Sequence, residues 1–298
     1  MELEAWSQHS SAQITLRGWH SPPSGKPVLH FLHGNGFCGR VYTPFLQHLS
    51  ASFDLWLCDI QGHGDSDAGT EFLGWNRNAE LAVEVFQAQR SIFSDVPVYA
   101  AAHSLGGVLT SLIMAQQAKL FARAVLLDPV IFTPALQFYM HSSEYLGLLA
   151  FNKLAKRTAA RRQHWPDRQT AYASLTGRGA FKGWSADALQ AFVEHGLRAV
   201  GEGGVELKCS PRLEATIFNS APRGLWRALR QVQTPVLFMY GTESFPFVAK
   251  SAALWQKYNA NVEIEQVNGG HCFMQQYPDA AAQRVREFLL INAEKTAE

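Results

Sequence analysis

AAHSLGG, residues 101–107, closes one apolar run, PVYAAAH (97–103), and opens an apolar-faced helical stretch, VLTSLIMAQQA (108–118). HSLGG is therefore a strand-to-helix turn, the setting in which a serine flanked by small residues two positions away on each side carries information. Ala102 and Gly106 occupy those two positions, with Gly107 adding room. Small residues there let the strand and helix backbones crowd together, which forces Ser104 onto a tight apex with its hydroxyl presented. The helix behind the turn aims free N–H groups and a partial positive charge at the same point. Ser104 is a candidate nucleophile; the alternative is an ordinary serine in a small-residue bend.

Outward from that turn, short apolar runs alternate with helical patterns. QITLRGW (13–19), PVLHFLH (27–33), FDLWLCD (53–59), ARAVLLD (122–128), PVLFMYG (235–241) and VEIEQV (262–267) read as strands together with PVYAAAH. From PVLHFLH onward they are nearly continuous hydrophobic runs, as expected of parallel strands covered on both faces. Helical patterns fall near 40–49, 74–92, 106–118, 247–258 and 278–292. The alternation predicts an α/β fold with a parallel sheet. It breaks once, between Pro129 and Gln233, where no convincing strand is visible and helical patterns cover 134–161 and 185–199. A segment inserted there sits over the strand ends, where α/β folds bind ligands. The expected division is a core of residues 1–131 and 226–298 with a helical lid over 132–225; a separately folding helical domain is the alternative.

Three further stretches fall in a fixed order around the turn: LHGNGF (32–37), DIQGHGDSD (59–67) and GGHCF (269–273), each following a strand. With AAHSLGG, they make the whole chain resemble the α/β-hydrolase superfamily. The resemblance implies a mostly parallel central sheet of about eight strands flanked by helices, with the lid inserted after the sixth strand. It implies a serine hydrolase that cleaves a carboxylic ester or related acyl bond through an acyl-enzyme. His271 is then the base a serine hydroxyl needs near neutral pH. Leu105 N–H supplies one oxyanion donor, and Asn35 N–H, or that of Gly36, the second. Phe37 and His103 are expected near the substrate pocket, His103 alternatively as a support of the turn. His33 and His63 read as structural hydrogen-bonders.

The acid departs from the family's common pattern. Where most members carry Asp three residues after the glycine ending the penultimate strand, MYGTESF has Ser244. Two carboxylates are left: Asp128, ending VLLD, and Glu243, one residue early. Some lipases and the related dehalogenases place their acid at the end of the strand that carries Asp128, which is therefore preferred. The serine nucleophile argues against dehalogenases and epoxide hydrolases, whose nucleophile is Asp. C–C bond, lactone or thioester hydrolysis and acyl transfer use the same machinery and stay open. A non-catalytic small-molecule binding protein on this fold is the reading from another class, favoured by the displaced acid.

Composition narrows the partners. The formal charge of +1 offers no basic field for nucleic acid. No run approaches the roughly 18 apolar residues of a membrane span. Cysteines 38, 58, 209 and 272 form no CxxC pair, so buried inert thiols and a cytoplasmic setting are expected. No metal spacing is visible among the histidines, and no cofactor is implied. The expected partner is a small molecule with an apolar acyl part. Phe138, Tyr139, Tyr145, Phe151, Trp165 and Trp184 could wall its pocket or pack the lid. Lys153, Arg157 and Arg161, at helical spacing, read as a solvated basic face before an anion site. Asp65, Ser66 and Asp67 are expected to cap the following helix.

Overall fold

The computed structural model describes residues 1–146, 152–201 and 203–291. Six strands precede the insertion: β1 (Glu4–His9), β2 (Thr15–His20), β3 (Val28–Leu32), β4 (Asp54–Asp59), β5 (Val98–His103) and β6 (Ala124–Leu127). The short strands β7 (His164–Trp165), β8 (Leu197–Val200) and β9 (Gly204–Leu207) lie inside it. β10 (Val236–Glu243) and β11 (Val262–Gly270) return to the main sheet. That sheet has eight strands in the order β1-β2-β4-β3-β5-β6-β10-β11. From β4 to β11 across the sheet every pairing is parallel, whereas β2 runs antiparallel to both its neighbours.

Helices cover both faces. α1 (Thr43–Leu46), α2 (Trp75–Gln89) and α3 (Leu105–Gln116) connect the first half. The insertion carries α4 (Pro134–Tyr145), α5 (Lys153–Ala159), α6 (Arg168–Leu175), α7 (Ala186–His195) and α8 (Pro211–Phe218), and α9 (Leu225–Leu229) leads back to the sheet. α10 (Pro246–Tyr258), α11 (Phe273–Gln276) and α12 (Pro278–Leu290) complete the chain. Alternate residues of each central strand serve opposite faces. Val28 and Leu32 of β3 join the cluster built with Phe86, Ile113 and Trp255, while Leu29 and Phe31 join the one built with Phe45, Val285 and Phe288. Burial on both faces is why these strands read as unbroken apolar runs. His30 intrudes between Trp56, Phe86 and Phe121 with neither ring nitrogen bonded among the described residues. Burial drives its pKa down to about 3, so it stays neutral.

Two expectations need correction. β1 escapes sequence reading because only Trp6 of its six residues is buried. Trp6 stacks on Trp56 at 5.0 Å and fills the gap left by Gly18, where a Cβ would lie 2.5 Å from its ring. The insertion is also not all helical: β7, β9 and β8 form a three-stranded antiparallel sheet. The 185–199 pattern stops as a helix at His195 and continues as β8. These strands are two to four residues long, too short for a period-2 signal to stand out. Phe181, Leu189, Phe192 and Leu197 of the insertion pack into the same cluster as Phe31, Tyr42 and Leu57 of the core. Phe151, the 147–151 portion of the helical pattern 134–161, and residue 292 lie outside the described residues. No helix among the described residues is long and apolar enough to cross a membrane.

Candidate active site

Ser104 has φ 54° and ψ −115°, a left-handed conformation that costs a non-glycine residue energy and marks a site built for its side chain. Its N–H donates to Leu127 O at 3.1 Å, and Gly106 N–H donates to His33 O at 3.1 Å, so the turn is clamped to β6 and to the strand-end loop after β3. A Cβ on Gly106 would stand 2.3 Å from Leu32 O and 2.7 Å from His33 O. Only glycine fits. Ala102 is fully buried in β5, paired with Leu32 of β3 and Leu126 of β6, and its methyl is accommodated there.

His271, on the loop after β11, brings its Nε2 to 2.9 Å from Ser104 Oγ and its Nδ1 to 2.8 Å from Asp128 Oδ1. That arrangement sets the tautomer: Nδ1–H donates to the carboxylate, and Nε2 is left to accept the serine proton. Asp128 is fully buried, with φ 48°. Its Oδ2 accepts Gly241 N–H at 2.8 Å, and its Oδ1 also accepts the Ser244 hydroxyl. Ser244, at the position where the resemblance led one to expect the acid, therefore braces the carboxylate of Asp128, which follows β6. Glu243 is exposed, with no ion pair or hydrogen bond from its carboxylate among the described residues.

Leu105 N–H and Asn35 N–H have no acceptor among the described residues, while Gly36 N–H faces the Cys209 sulfur. Asn35 is held by its side chain: Nδ2 donates to Glu214 O at 3.1 Å and Oδ1 meets His63 Nε2 at 3.2 Å. His33 ties the same loop to the next one, donating from Nδ1 to Gly34 O at 2.9 Å and accepting Ile60 N–H at 3.0 Å. Burial lowers the pKa values of His33 to about 3 and His63 to about 4, so both act as neutral linkers.

Phe37 and His103, expected at the pocket, do not line it. Phe37 packs among Tyr42, Trp184 and Phe192. His103 is fully buried and belongs to a hydrogen-bonded chain that sequence reading missed. Gly34 N–H donates to Tyr42 Oη at 3.0 Å, and the Tyr42 hydroxyl donates to His103 Nδ1 at 2.6 Å. His103 Nε2–H in turn donates to His271 O at 3.0 Å. One neutral imidazole, its pKa driven well down by burial, thus joins the Asn35 loop, the serine turn and the His271 loop. Tyr42→Phe deletes the middle link and leaves two buried groups unpaired. Loss of about 1–3 kcal/mol of stability is expected, with a roughly tenfold or larger fall in kcat at little change in KM. Thermal melts and steady-state kinetics check it.

Other side chains go elsewhere than expected. Ser66 and Asp67 do not cap α2, whose N-cap is Gly74. Ser66 Oγ accepts Arg17 N–H and Asp67 accepts Thr15 N–H, each fastening the loop to β2. Asp65 instead pairs with Lys208 at 2.8 Å. Arg161 is no solvated cation: it pairs with buried Glu214 at 2.6 Å, while Lys153 and Arg157 are exposed. Burial raises the thiol pKa of Cys272 to about 12 and lifts that of Cys38 further.

A cavity of about 340 Å³ opens on Ser104, walled by Trp75, Leu105, Phe132, Met140, Ile217, Phe245 and Phe247 among others. Of the expected lid aromatics Tyr139 reaches it, Phe138 and Tyr145 are exposed, Trp165 is buried, and Trp184 packs against Phe181 and Phe192. The wall residues come from α2, α3, α4, α5, α8 and α10 and from the loops after β3, β6 and β10, so no single stretch of sequence announces them.

A family model described as the alpha/beta hydrolase family matches residues 31–284. Monoglyceride lipase of Mus musculus is 28% identical over 125 residues, 40% of this chain and 40% of that protein. The structure of E-2-(acetamidomethylene)succinate hydrolase superposes with a TM-score of 0.77 at 24% identity, covering 97% of this chain and 99% of the other. A thioesterase domain from the curacin biosynthetic pathway gives 0.74 at 16% identity over 96% and 99%. At such identities these two structures speak for the fold.

Proposed function

The chain belongs to the alpha/beta hydrolase family, and on that premise we propose that it is a serine hydrolase cleaving a carboxylic ester or related acyl bond through a Ser104–His271–Asp128 triad. The observation that carries the proposal is the unbroken line from Ser104 Oγ through His271 to Asp128, 2.9 and 2.8 Å. Ser104 Oγ attacks the carbonyl carbon while its proton passes to His271 Nε2. The carbonyl oxygen becomes an oxyanion received by the Leu105 and Asn35 amides. Asp128 holds the ring and supports its positive charge. His271 then gives the proton to the leaving oxygen, nitrogen or sulfur as the bond to it breaks, leaving an acyl-enzyme. Water enters, gives a proton to His271 and adds to the acyl carbon; His271 then returns that proton to Ser104 Oγ as the bond to the acyl group breaks and the acid leaves. The insertion acts as the lid of this site, and the apolar cavity beside Ser104 receives the acyl part.

Rapid mixing with an excess of p-nitrophenyl ester tests the two-step route. A burst of p-nitrophenol near one per chain before the steady state is expected when deacylation limits turnover. A panel of ester, thioester and amide leaving groups on one acyl chain then ranks the bond type. Absence of turnover on the whole panel would count against the reading.

A further inference from the structure

The inward face of α4 is apolar until its last turn. Leu136, Tyr139, Met140 and Ser143 line the cavity at helical spacing, i, i+3, i+4 and i+7. Ser143 breaks the pattern. It is 4% exposed, and its hydroxyl has no hydrogen-bond partner among the described residues. A serine within a helix ordinarily bonds back to the carbonyl one turn earlier or faces bulk water; this one does not bond back, and its hydroxyl opens onto the cavity. The other polar side chains on the wall are engaged. Asn35 is held by Glu214 and His63, Asn152 caps α5 and donates to Phe218 O, and Ser104 bonds His271. Tyr139 is 64% exposed.

A hydroxyl with no protein partner that opens onto an otherwise apolar cavity is available to hydrogen-bond a ligand there. We propose that Ser143 is a specificity-determining residue that reads an oxygen function on the acyl part of the substrate, away from the scissile carbonyl. The proposal rests on the serine-hydrolase reading above. The substrate class follows from the walls. The cavity of about 340 Å³ sits at the low end of the roughly 300–1,000 Å³ of small-molecule sites, so it takes a medium-length acyl or aryl-acyl group. Trp75, Phe132, Ile217, Phe245 and Phe247 demand that most of this group be apolar. A serine hydroxyl both donates and accepts, so a hydroxyl, keto or ether oxygen on the chain satisfies it.

The test compares p-nitrophenyl octanoate with p-nitrophenyl octanoates carrying one hydroxyl or keto group at successive carbons. The native protein and Ser143→Ala are assayed together; alanine keeps the helix and removes only the hydroxyl. The ratio of kcat/KM for the best oxygenated ester to that for the plain ester should fall about tenfold in Ser143→Ala. A ratio that does not move, in proteins that both turn over the plain ester and react at Ser104 with a fluorophosphonate, overturns the role of Ser143 alone. Absence of both turnover and Ser104 modification in the native protein removes the hydrolase reading, and this inference with it.

Discussion

Asp128→Asn lowers kcat for ester cleavage by about 10³–10⁴-fold with little change in KM, and Glu243→Gln leaves both within about twofold. With its oxygen in the Oδ2 place the carboxamide still accepts Gly241 N–H, and its NH₂ takes the Oδ1 place, where the Ser244 hydroxyl can turn to accept from it, so the buried site stays filled and hydrogen-bonded. What changes is the atom facing His271 Nδ1, 2.8 Å away. An NH₂ group there favours the tautomer with the proton on Nε2, which cannot take the proton of Ser104. The charge that steadies the imidazolium is lost as well. Circular dichroism and a melting scan, matched to the native protein, separate this effect from misfolding. The reverse outcome, with Glu243→Gln inactive and Asp128→Asn active, would contradict the assignment.

Gly106→Ala carries the second largest expected effect, on stability and activity together. The added methyl would meet three backbone atoms, Leu32 O at 2.3 Å, Leu32 C at 2.6 Å and His33 O at 2.7 Å. Backbone at the end of a central strand cannot step aside as the tip of a side chain can. Either β3 separates from the turn or the turn moves, at a cost of about 3 kcal/mol or more. For a chain of this size that corresponds to a melting point lower by roughly 5–10 °C. The displaced turn also carries Ser104 and the Leu105 amide, and a shift on the order of 1 Å at reacting groups costs about 10²-fold in rate. Ala102→Gly is the contrast. It restores the glycine that the family usually has before the nucleophile, yet it removes a buried methyl that fits. About 1 kcal/mol of lost stability is expected.

Why some of this was legible follows from where the information sits along the chain. The β5-turn-α3 unit declares itself because β5, Ser104 and α3 are contiguous, and glycine at 106 answers a local steric demand. β3, β4, β6 and the first half of β10 are visible because both their faces are buried, whereas β11, an edge strand, shows through its alternation of apolar and polar residues. β1 is an edge strand with one buried tryptophan, and β7, β8 and β9 are shorter than the period needed to see them. At the site, Ser104, His271, Leu105 and Asn35 lie in loops recognisable from their glycines. The choice between Asp128 and Glu243 depends on which carboxylate turns toward the ring, and the 48° φ of Asp128 and the bracing by Ser244 are properties of the assembled sheet. Tyr42 has no sequence signal, since its partners are 8 and 61 residues away. The cavity wall is equally dispersed. Misreading Asp67 as a helix cap and Arg161 as solvated has the same origin: their partners, Thr15 and Glu214, are more than 50 residues away in sequence.

Covalent chemistry at one oxygen is the most direct test. The folded native protein is treated with a fluorophosphonate, its intact mass measured and the modified peptide mapped. One phosphonyl group per chain, located on Ser104 and absent from Ser104→Ala, is the result expected of an alcohol activated by His271. A native protein that stays unmodified while folded, or that is modified at another residue with Ser104 untouched, would contradict the account at its centre.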